Sequence, residues 1–273
     1  MKKIIHGSII FLFFVHYLHA GVVICSIPKC GTHLLMALLS EIGYTIKGCM
    51  VSPTFLHLHA DRLRTELGSR EYTITHAIAS KENIEILQRT GHKVIFIYRD
   101  PRDQLISFAR YLRQFIKKNR LTAAHWPYND MITKLMVTYS IDTRVYCDRF
   151  WSDPLFTTMG SIADFYRRYM HWQDCPYVYT TRFEALVGAK GGGSDALQEQ
   201  EVSNICAYLG VERTPDQIKE IANRLFGHKQ SASFVKGAIG QWCDTFTPIH
   251  TFLFKVLAND LLVELGYEND YSW

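Results

Sequence analysis

Val22-Val23-Ile24-Cys25-Ser26-Ile27-Pro28-Lys29-Cys30-Gly31-Thr32-His33-Leu34-Leu35 joins an apolar, β-branched run to a Pro/Gly loop and then to apolar residues at helical spacing. The pattern predicts a strand, an anion-binding loop and a helix. Only a backbone fits where Gly31 sits, so the amides of Cys30 to His33 can converge on an anion at the positive end of the helix. Lys29 adds a full charge beside them. A nucleoside-triphosphate loop of the form G-x-x-x-x-G-K-[ST] carries its Lys after the last Gly. Here Lys29 precedes Gly31 by two residues, which disfavours a nucleotide triphosphatase.

At 273 residues the chain suits one well-buried α/β domain and is short for two. Lys plus Arg number 30 against 26 Asp plus Glu, a net charge of +4, and no basic block forms a nucleic-acid arm. No nucleic-acid partner is expected. The seven Cys, an odd number without C-x-x-C, set out neither a disulfide framework nor a zinc knuckle. Most read as small buried apolar residues, which favours a reducing compartment.

Residues 1–20 argue the other way. Lys2-Lys3, the apolar run Ile9 to Val15 and Leu18-His19-Ala20 resemble the three regions of a secretory signal peptide, and cleavage after Ala20 would leave the first strand intact. An apolar N-terminal extension is the alternative. The run is shorter than the ~20 apolar residues of a comfortable membrane span. The chain is expected in the secretory pathway if this segment is a signal and in the cytoplasm otherwise, with membrane contact only if the segment is retained.

Leu34 to Ile42 continues as the helix that presents the loop, and Gly43 ends it. Pro53 to Gly68 reads as loop then short helix; His57 and His59 within it are assigned no role, since two histidines without further ligands make no metal site. Tyr72 to His76 alternates like a strand and stops at a histidine, where an open parallel sheet places its chemistry. Lys81 to Thr90 is a helix, and Lys93 to Tyr98 a fully buried strand. In Arg99-Asp100-Pro101-Arg102-Asp103, Asp100 is placed to cap and Pro101 to open a helix running to about Lys118. Arg99 at the strand end and Ser107 within that helix can both approach an anion, and a guanidinium fork suits a phosphate.

Residues 120–159, rich in Trp, Tyr, Phe and His, read as irregular helices over the mouth of the site, an acceptor pocket. Ser161 to Trp172 is a helix, Tyr177 to Thr180 a strand and Arg182 to Leu186 a turn. Ala189 to Ser194 reads as a flexible loop. Helices follow from about Asp195 to Leu209 and from Pro215 to Phe226, the second with a Thr214/Gln217 capping box. Ser233 to Trp242 is a Gly-rich loop with one cation, Lys236, and a second anion-loop candidate. Phe252 to Leu265 is an amphipathic terminal helix. No domain linker or internal repeat interrupts the chain.

Four of these stretches, in this order, resemble the cytosolic-type sulfotransferases that use 3′-phosphoadenosine 5′-phosphosulfate. Pro28-Lys29-Cys30-Gly31-Thr32 is similar to the family's 5′-phosphosulfate loop, Pro-Lys-Ser-Gly-Thr-Thr-Trp. Thr75-His76 resembles its Lys-Thr-His segment, which carries the general base. Tyr98 to Asp103 with Ser107 resembles its 3′-phosphate site. Phe234-x-Lys236-Gly237-x-x-Gly240-x-Trp242, followed by Phe246-Thr247, resembles its Arg-Lys-Gly-x-x-Gly-x-Trp loop. Leu265-Gly266-Tyr267-Glu268 to Trp273 is similar to the ending of many bacterial members. The resemblance covers about Val22 to Trp273 and is weakest between Arg120 and Met159.

The resemblance implies a P-loop-like parallel β-sheet flanked by helices on both faces, in a single domain over residues 21–273. It implies transfer of a sulfuryl group from that donor to a hydroxyl or amine of a small-molecule, lipid or carbohydrate acceptor. Lys29 would neutralise the leaving oxygen without a metal ion. His76, with an unperturbed pKa of about 6.5, would take the acceptor proton. The donor-binding residues implied are Lys29, Cys30, Gly31, Thr32, His33, Arg99, Ser107, Phe234, Lys236 and Gly237. Leu34 stands where the family has an adenine-stacking Trp, so Phe183 is expected to supply the stacking.

Departures accompany the matches. Cys30 replaces the usual Ser and His33 the second Thr, Ile74 stands where a Lys often precedes the histidine, and Val235 replaces an Arg that holds the 3′-phosphate. Either the donor is expected to bind more weakly, or Arg102 or Lys229 is expected to compensate. The losses at Ile74 and Val235 leave a second reading, a catalytically weakened sulfotransferase-like nucleotide-binding module. A P-loop kinase would need the Walker A sequence that is missing. The family's C-terminal dimer signature, Lys-x-x-x-Thr-Val-x-x-x-Glu, is not found, so a monomer and a dimer both stand.

Overall fold

Val22 to Ser26 forms a strand, β1, in which every residue is buried. Its apolar side chains alternate between two cores: Val23 and Cys25 pack on one side of the sheet, Val22 and Ile24 on the other. A strand buried on both faces belongs at the centre of a parallel sheet. The computed structural model, which describes residues 20–50, 56, 60–118, 127–139, 160–226 and 237–273, places it there. The further strands are β2 (Thr45–Met50), β3 (Glu71–Thr75), β4 (Lys93–Tyr98) and β5 (Val178–Arg182), and the spatial order is β2-β3-β1-β4-β5. All pairings are parallel, with Cys25 opposite Thr75 on one side and Ser26 opposite Ile97 on the other. The chain crosses β1 between β3 and β4, and the carboxyl end of β1 is therefore the switch point where such sheets bind ligands.

The helices are α1 (Thr32–Glu41), α2 (Ala60–Glu66), α3 (Lys81–Thr90), α4 (Pro101–Lys118), α5 (Tyr128–Thr138), α6 (Ile162–Met170), α7 (Phe183–Leu186), α8 (Asp195–Leu209), α9 (Pro215–Leu225) and α10 (Pro248–Glu264). Leu35, Leu38, Val202 and Ile218 of α1, α8 and α9 close one face of the sheet. Leu87, Leu105, Ile132, Phe165 and Phe254 of α3, α4, α5, α6 and α10 close the other. Each fully buried aliphatic or aromatic side chain contributes about 1.5–3 kcal/mol. The expected α/β architecture, with helices on both faces, is the one observed.

The end signals act as their chemistry requires. Asp100 Oδ1 accepts the Arg102 amide at 2.8 Å, with Pro101 at the first position of α4, and Thr214 and Gln217 form their capping box at α9. The terminal helix begins earlier than Phe252, because Thr247 caps it through His250 with Pro248 at its start. The edge strand β2 has no counterpart in the sequence reading. Its Thr45, Ile46, Lys47 and Gly48 are exposed, so they carry no hydrophobic alternation to mark them.

Ala189 to Ser194 is not a free loop. It folds into a 3-10 turn in which the Gly191 carbonyl accepts the Ile239 amide at 2.8 Å. A Cβ on Gly191 would meet Val187 Cγ2 at 2.2 Å and Gly237 O at 2.9 Å, so the tract packs tightly under the second glycine loop. The candidate signal segment through residue 19, His57, His59, most of 120–159, Lys229 and Phe234 to Lys236 lie outside the described residues.

Candidate functional site

Between β1 and α1 the backbone reverses through two left-handed residues, Lys29 at φ 70° and Gly31 at φ 107°. Gly31 is required by shape as well as by φ: a Cβ there would lie 3.0 Å from Phe183 Cδ2 and 3.1 Å from Ile97 Cδ1. Gly31 caps α1 without a side-chain hydrogen bond. The amides of Gly31, Thr32 and His33 have no hydrogen-bond partner among the described residues. This leaves oriented donors at a helix start for an anion.

The Cys30 amide behaves differently from the expectation. It donates to Ile27 O at 3.1 Å, and the Cys30 side chain is fully buried with Sγ 3.5 Å from Tyr166 Oη. Burial pushes its thiol up to about 12. Cys30 thus shapes the loop from inside. Under native conditions a thiol reagent is expected to label exposed Cys243 well before Cys30, since Cys25, Cys30, Cys175 and Cys206 are all buried. Peptide mapping by mass spectrometry checks the order.

His76 follows the carboxyl end of β3, next to β1. Its Nδ1 lies 2.8 Å from the Ser26 carbonyl oxygen and 3.1 Å from Ser26 Oγ, which is itself 2.7 Å from Thr32 Oγ1. A carbonyl only accepts, so Nδ1 carries the proton and the neutral ring keeps Nε2 as its basic nitrogen. Tyr169 donates to His76 O at 3.0 Å and the Trp172 indole to Ala77 O at 3.0 Å, which pins the backbone here. Burial holds the His76 pKa below the usual imidazole value; His33 and Lys29 push it the same way, while the bond to Ser26 opposes them.

Arg99, at the end of β4, is buried. Its Nη2 donates to Asp103 Oδ2 at 3.2 Å and to Ala238 O, while its Nε, also buried, has no partner among the described residues. The guanidinium carbon stands 4.2 Å from the Phe183 ring centroid. With Arg99 on one face and Gly31 against its edge, Phe183 offers little surface to an adenine in this arrangement. Asp103 also accepts the amides of Gly240 at 2.8 Å and Trp242 at 3.1 Å. One carboxylate thereby ties Gly240 and Trp242 of the second glycine loop to the strand end that carries Arg99. Ser107 is half-buried within α4.

Arg102 does not supply a spare cation. It is buried, ion-paired with Asp100 at 2.8 Å and with Glu268, and lies over the rings of Trp242 and Trp273 at 4.1 and 4.6 Å from their centroids. Its work is to hold the C-terminal segment. The expected compensation for Val235 therefore does not come from Arg102.

Lys29 brings a further charge to the loop. Its Nζ stands 4.8 Å from the Tyr111 ring centroid, and burial, with the Arg99 charge, lowers its pKa to about 8. Partial loss of hydration at the exposed His33 and the Lys29 charge lower the His33 pKa as well. Loss of hydration is thus the main reason that Lys29, His33 and His76 around this loop each resist protonation.

Ser26, Asp103 and Gln104 were not singled out as site residues from the sequence. Gln104 Nε2 donates to Pro28 O at 2.8 Å and so braces the loop beside Lys29. Asp103 lies inside the Arg-Asp-Pro-Arg-Asp stretch, but nothing in its spacing shows which amides it will meet. Among the described residues no cluster of His, Cys, Asp or Glu could hold a metal ion, and no helix is long and apolar enough to cross a membrane.

A family model described as a sulfotransferase domain matches residues 20–261. Among solved structures the chain is similar to a mouse sulfotransferase, SULT7A1, crystallised in complex with PAP. The TM-score is 0.63 at 18% sequence identity, with 89% of this chain and 84% of that chain covered. No curated protein matches the chain in sequence.

Proposed function

Because the chain belongs to the sulfotransferase family, we propose that it moves a sulfuryl group from 3′-phosphoadenosine 5′-phosphosulfate to a hydroxyl or amine of a small-molecule, lipid or carbohydrate acceptor, with Lys29 and His76 in the chemical roles. The observation that carries this reading is the His76 tautomer: Nδ1–H is committed to the Ser26 carbonyl at 2.8 Å, which leaves Nε2 basic beside the anion loop. The donor supplies an activated sulfuryl group on a phosphate leaving group. The residues present fit it. The Gly31, Thr32 and His33 amides and Lys29 suit its 5′ end, and the unpartnered buried Nε of Arg99 suits a further anion, the 3′-phosphate. Lys29 offsets charge at the loop, and His76 receives the acceptor proton at Nε2. Lys236 and Phe234 extend the donor site in this reading, by resemblance alone.

The experiment is transfer of labelled sulfate from the donor across a panel of phenols, alcohols, amines and sugars, beside calorimetric titration with 3′-phosphoadenosine 5′-phosphate. Transfer to a subset of acceptors is the expected result. Nucleotide binding without transfer to any acceptor would favour the weakened binding module.

For the 3′ site, Arg99→Ala and Ser107→Ala are expected to weaken binding of the 3′-phosphorylated nucleotide by about 1.5–3 kcal/mol for a charge-assisted contact. Adenosine 5′-phosphosulfate, which lacks the 3′-phosphate, loses far less. Equal losses for the two nucleotides would remove the assignment.

A further inference from the structure

The hydrogen bonds around Ser26 form a directed chain that joins the anion loop to His76. Nδ1–H of His76 donates to the Ser26 carbonyl at 2.8 Å and reaches Ser26 Oγ at 3.1 Å. A nitrogen that already carries the proton cannot accept one, so Ser26 Oγ is the acceptor of that second contact and its own proton is left to donate. Its neighbour is Thr32 Oγ1, at 2.7 Å. Thr32 then accepts from Ser26 and keeps its hydroxyl proton to donate onward, from the first residue of α1 where the Gly31, Thr32 and His33 amides have no partner among the described residues. Ser26 and Thr32 are buried at 0% and 7% exposure, so water competes little for these bonds.

We propose that Ser26 is a positioning residue that couples donor occupancy of the loop to the readiness of His76. The inference rests on the functional reading above. An anion that accepts the Thr32 proton orders the chain in one direction, and hydrogen bonds in series at low dielectric strengthen one another. Ser26 Oγ becomes a better acceptor for Nδ1–H, and Nε2 becomes the stronger base when the sulfuryl donor is present. When Nε2 takes the acceptor proton, the imidazolium keeps its Nδ1–H on Ser26, so no proton travels along the chain. His33 and Lys29 both lower the His76 pKa, but no hydrogen bond from either to His76 stands among the described residues. Ser26 makes direct contact with both ends.

The test uses the full chain and two acceptors, an aliphatic alcohol that must lose a proton and a phenol already ionised at the assay pH. Ser26→Ala is expected to lower turnover of the alcohol by about three- to tenfold, the worth of a neutral hydrogen bond. The ionised phenol loses no comparable amount, and affinity for 3′-phosphoadenosine 5′-phosphate stays near wild type. Ser26→Thr restores the alcohol rate. A second readout is independent of turnover. In ¹⁵N-histidine-labelled protein, with His76→Gln as the assignment control, that nucleotide moves the His76 Nδ1–H proton downfield in the wild type, and less in Ser26→Ala and in nucleotide-saturated Thr32→Val. Should Ser26→Ala fail to fold, Thr32→Val breaks the same chain from its other end. Equal loss toward both acceptors, or a nucleotide-induced shift that ignores both substitutions, overturns the proposal while transfer by the wild type leaves the functional reading in place. Wild-type protein that neither binds the nucleotide nor transfers sulfate overturns both.

Discussion

His76→Ala is expected to cut turnover of an aliphatic alcohol acceptor by about 10² to 10⁴, the usual worth of a general base, with nucleotide affinity near wild type. The separation of the two effects follows from position. His76 directly follows β3, with Nδ1 turned to Ser26, whereas the loop amides that suit the donor belong to the start of α1. A phenol ionised at the assay pH is the least affected acceptor, because no proton remains to be removed. Single-turnover rates with both acceptors, beside calorimetric nucleotide binding, check the pattern. Full activity of His76→Ala toward the alcohol would make His76 a structural histidine at a strand end. The pH dependence has a defined sign. Burial lowers the pKa of His76, so the neutral, basic form persists below the ordinary imidazole range, and the acid limb of turnover is expected below pH ~6.5.

Lys29→Ala or Lys29→Met is expected to lower both donor affinity and turnover, the latter by about 10² to 10³, as for loss of one preorganised electrostatic donor. Both are expected to fall because Lys29 directly precedes the loop amides and, in the proposed reading, serves the bound ion as well as the chemical step. Its lowered pKa of about 8 supplies a second check. In the free protein the ammonium form is present below that value and lost above it, so nucleotide affinity declines as pH rises through about 8. Lys29→Arg keeps its charge throughout and is expected to abolish that decline. A wild-type affinity that is flat across this range would sink the charge assignment.

The strand, loop and helix around Lys29 were readable because each depends on local chemistry. An apolar β-branched run buried on both faces, a glycine at φ 107° and a helix start are short-range requirements. The caps at Asp100 and Thr214 were readable for the same reason, and the order of the motifs along the chain led to the family that the domain match bears out. The edge strand β2 was not readable, since exposed Thr45 to Gly48 pair through backbone groups that every sequence has.

The rest was decided by approaches across long stretches of chain. Whether Cys30 faces an anion or Tyr166 depends on a helix more than a hundred residues away, and the structure turns it inward. Arg102 has the charge to hold a phosphate, yet Asp100, Glu268 and two Trp rings enclose it. Asp103 became the tie of the second glycine loop, and the Gly-rich tract at 189–194 its floor, only once β4 and α8 had brought these segments together. The proton position on His76 was settled last and by the least specific group, the backbone carbonyl of Ser26. Side-chain type and spacing name the groups able to do chemistry; which of their atoms are already bonded, and which remain for a ligand, is set by packing between segments that are neighbours only in the folded chain.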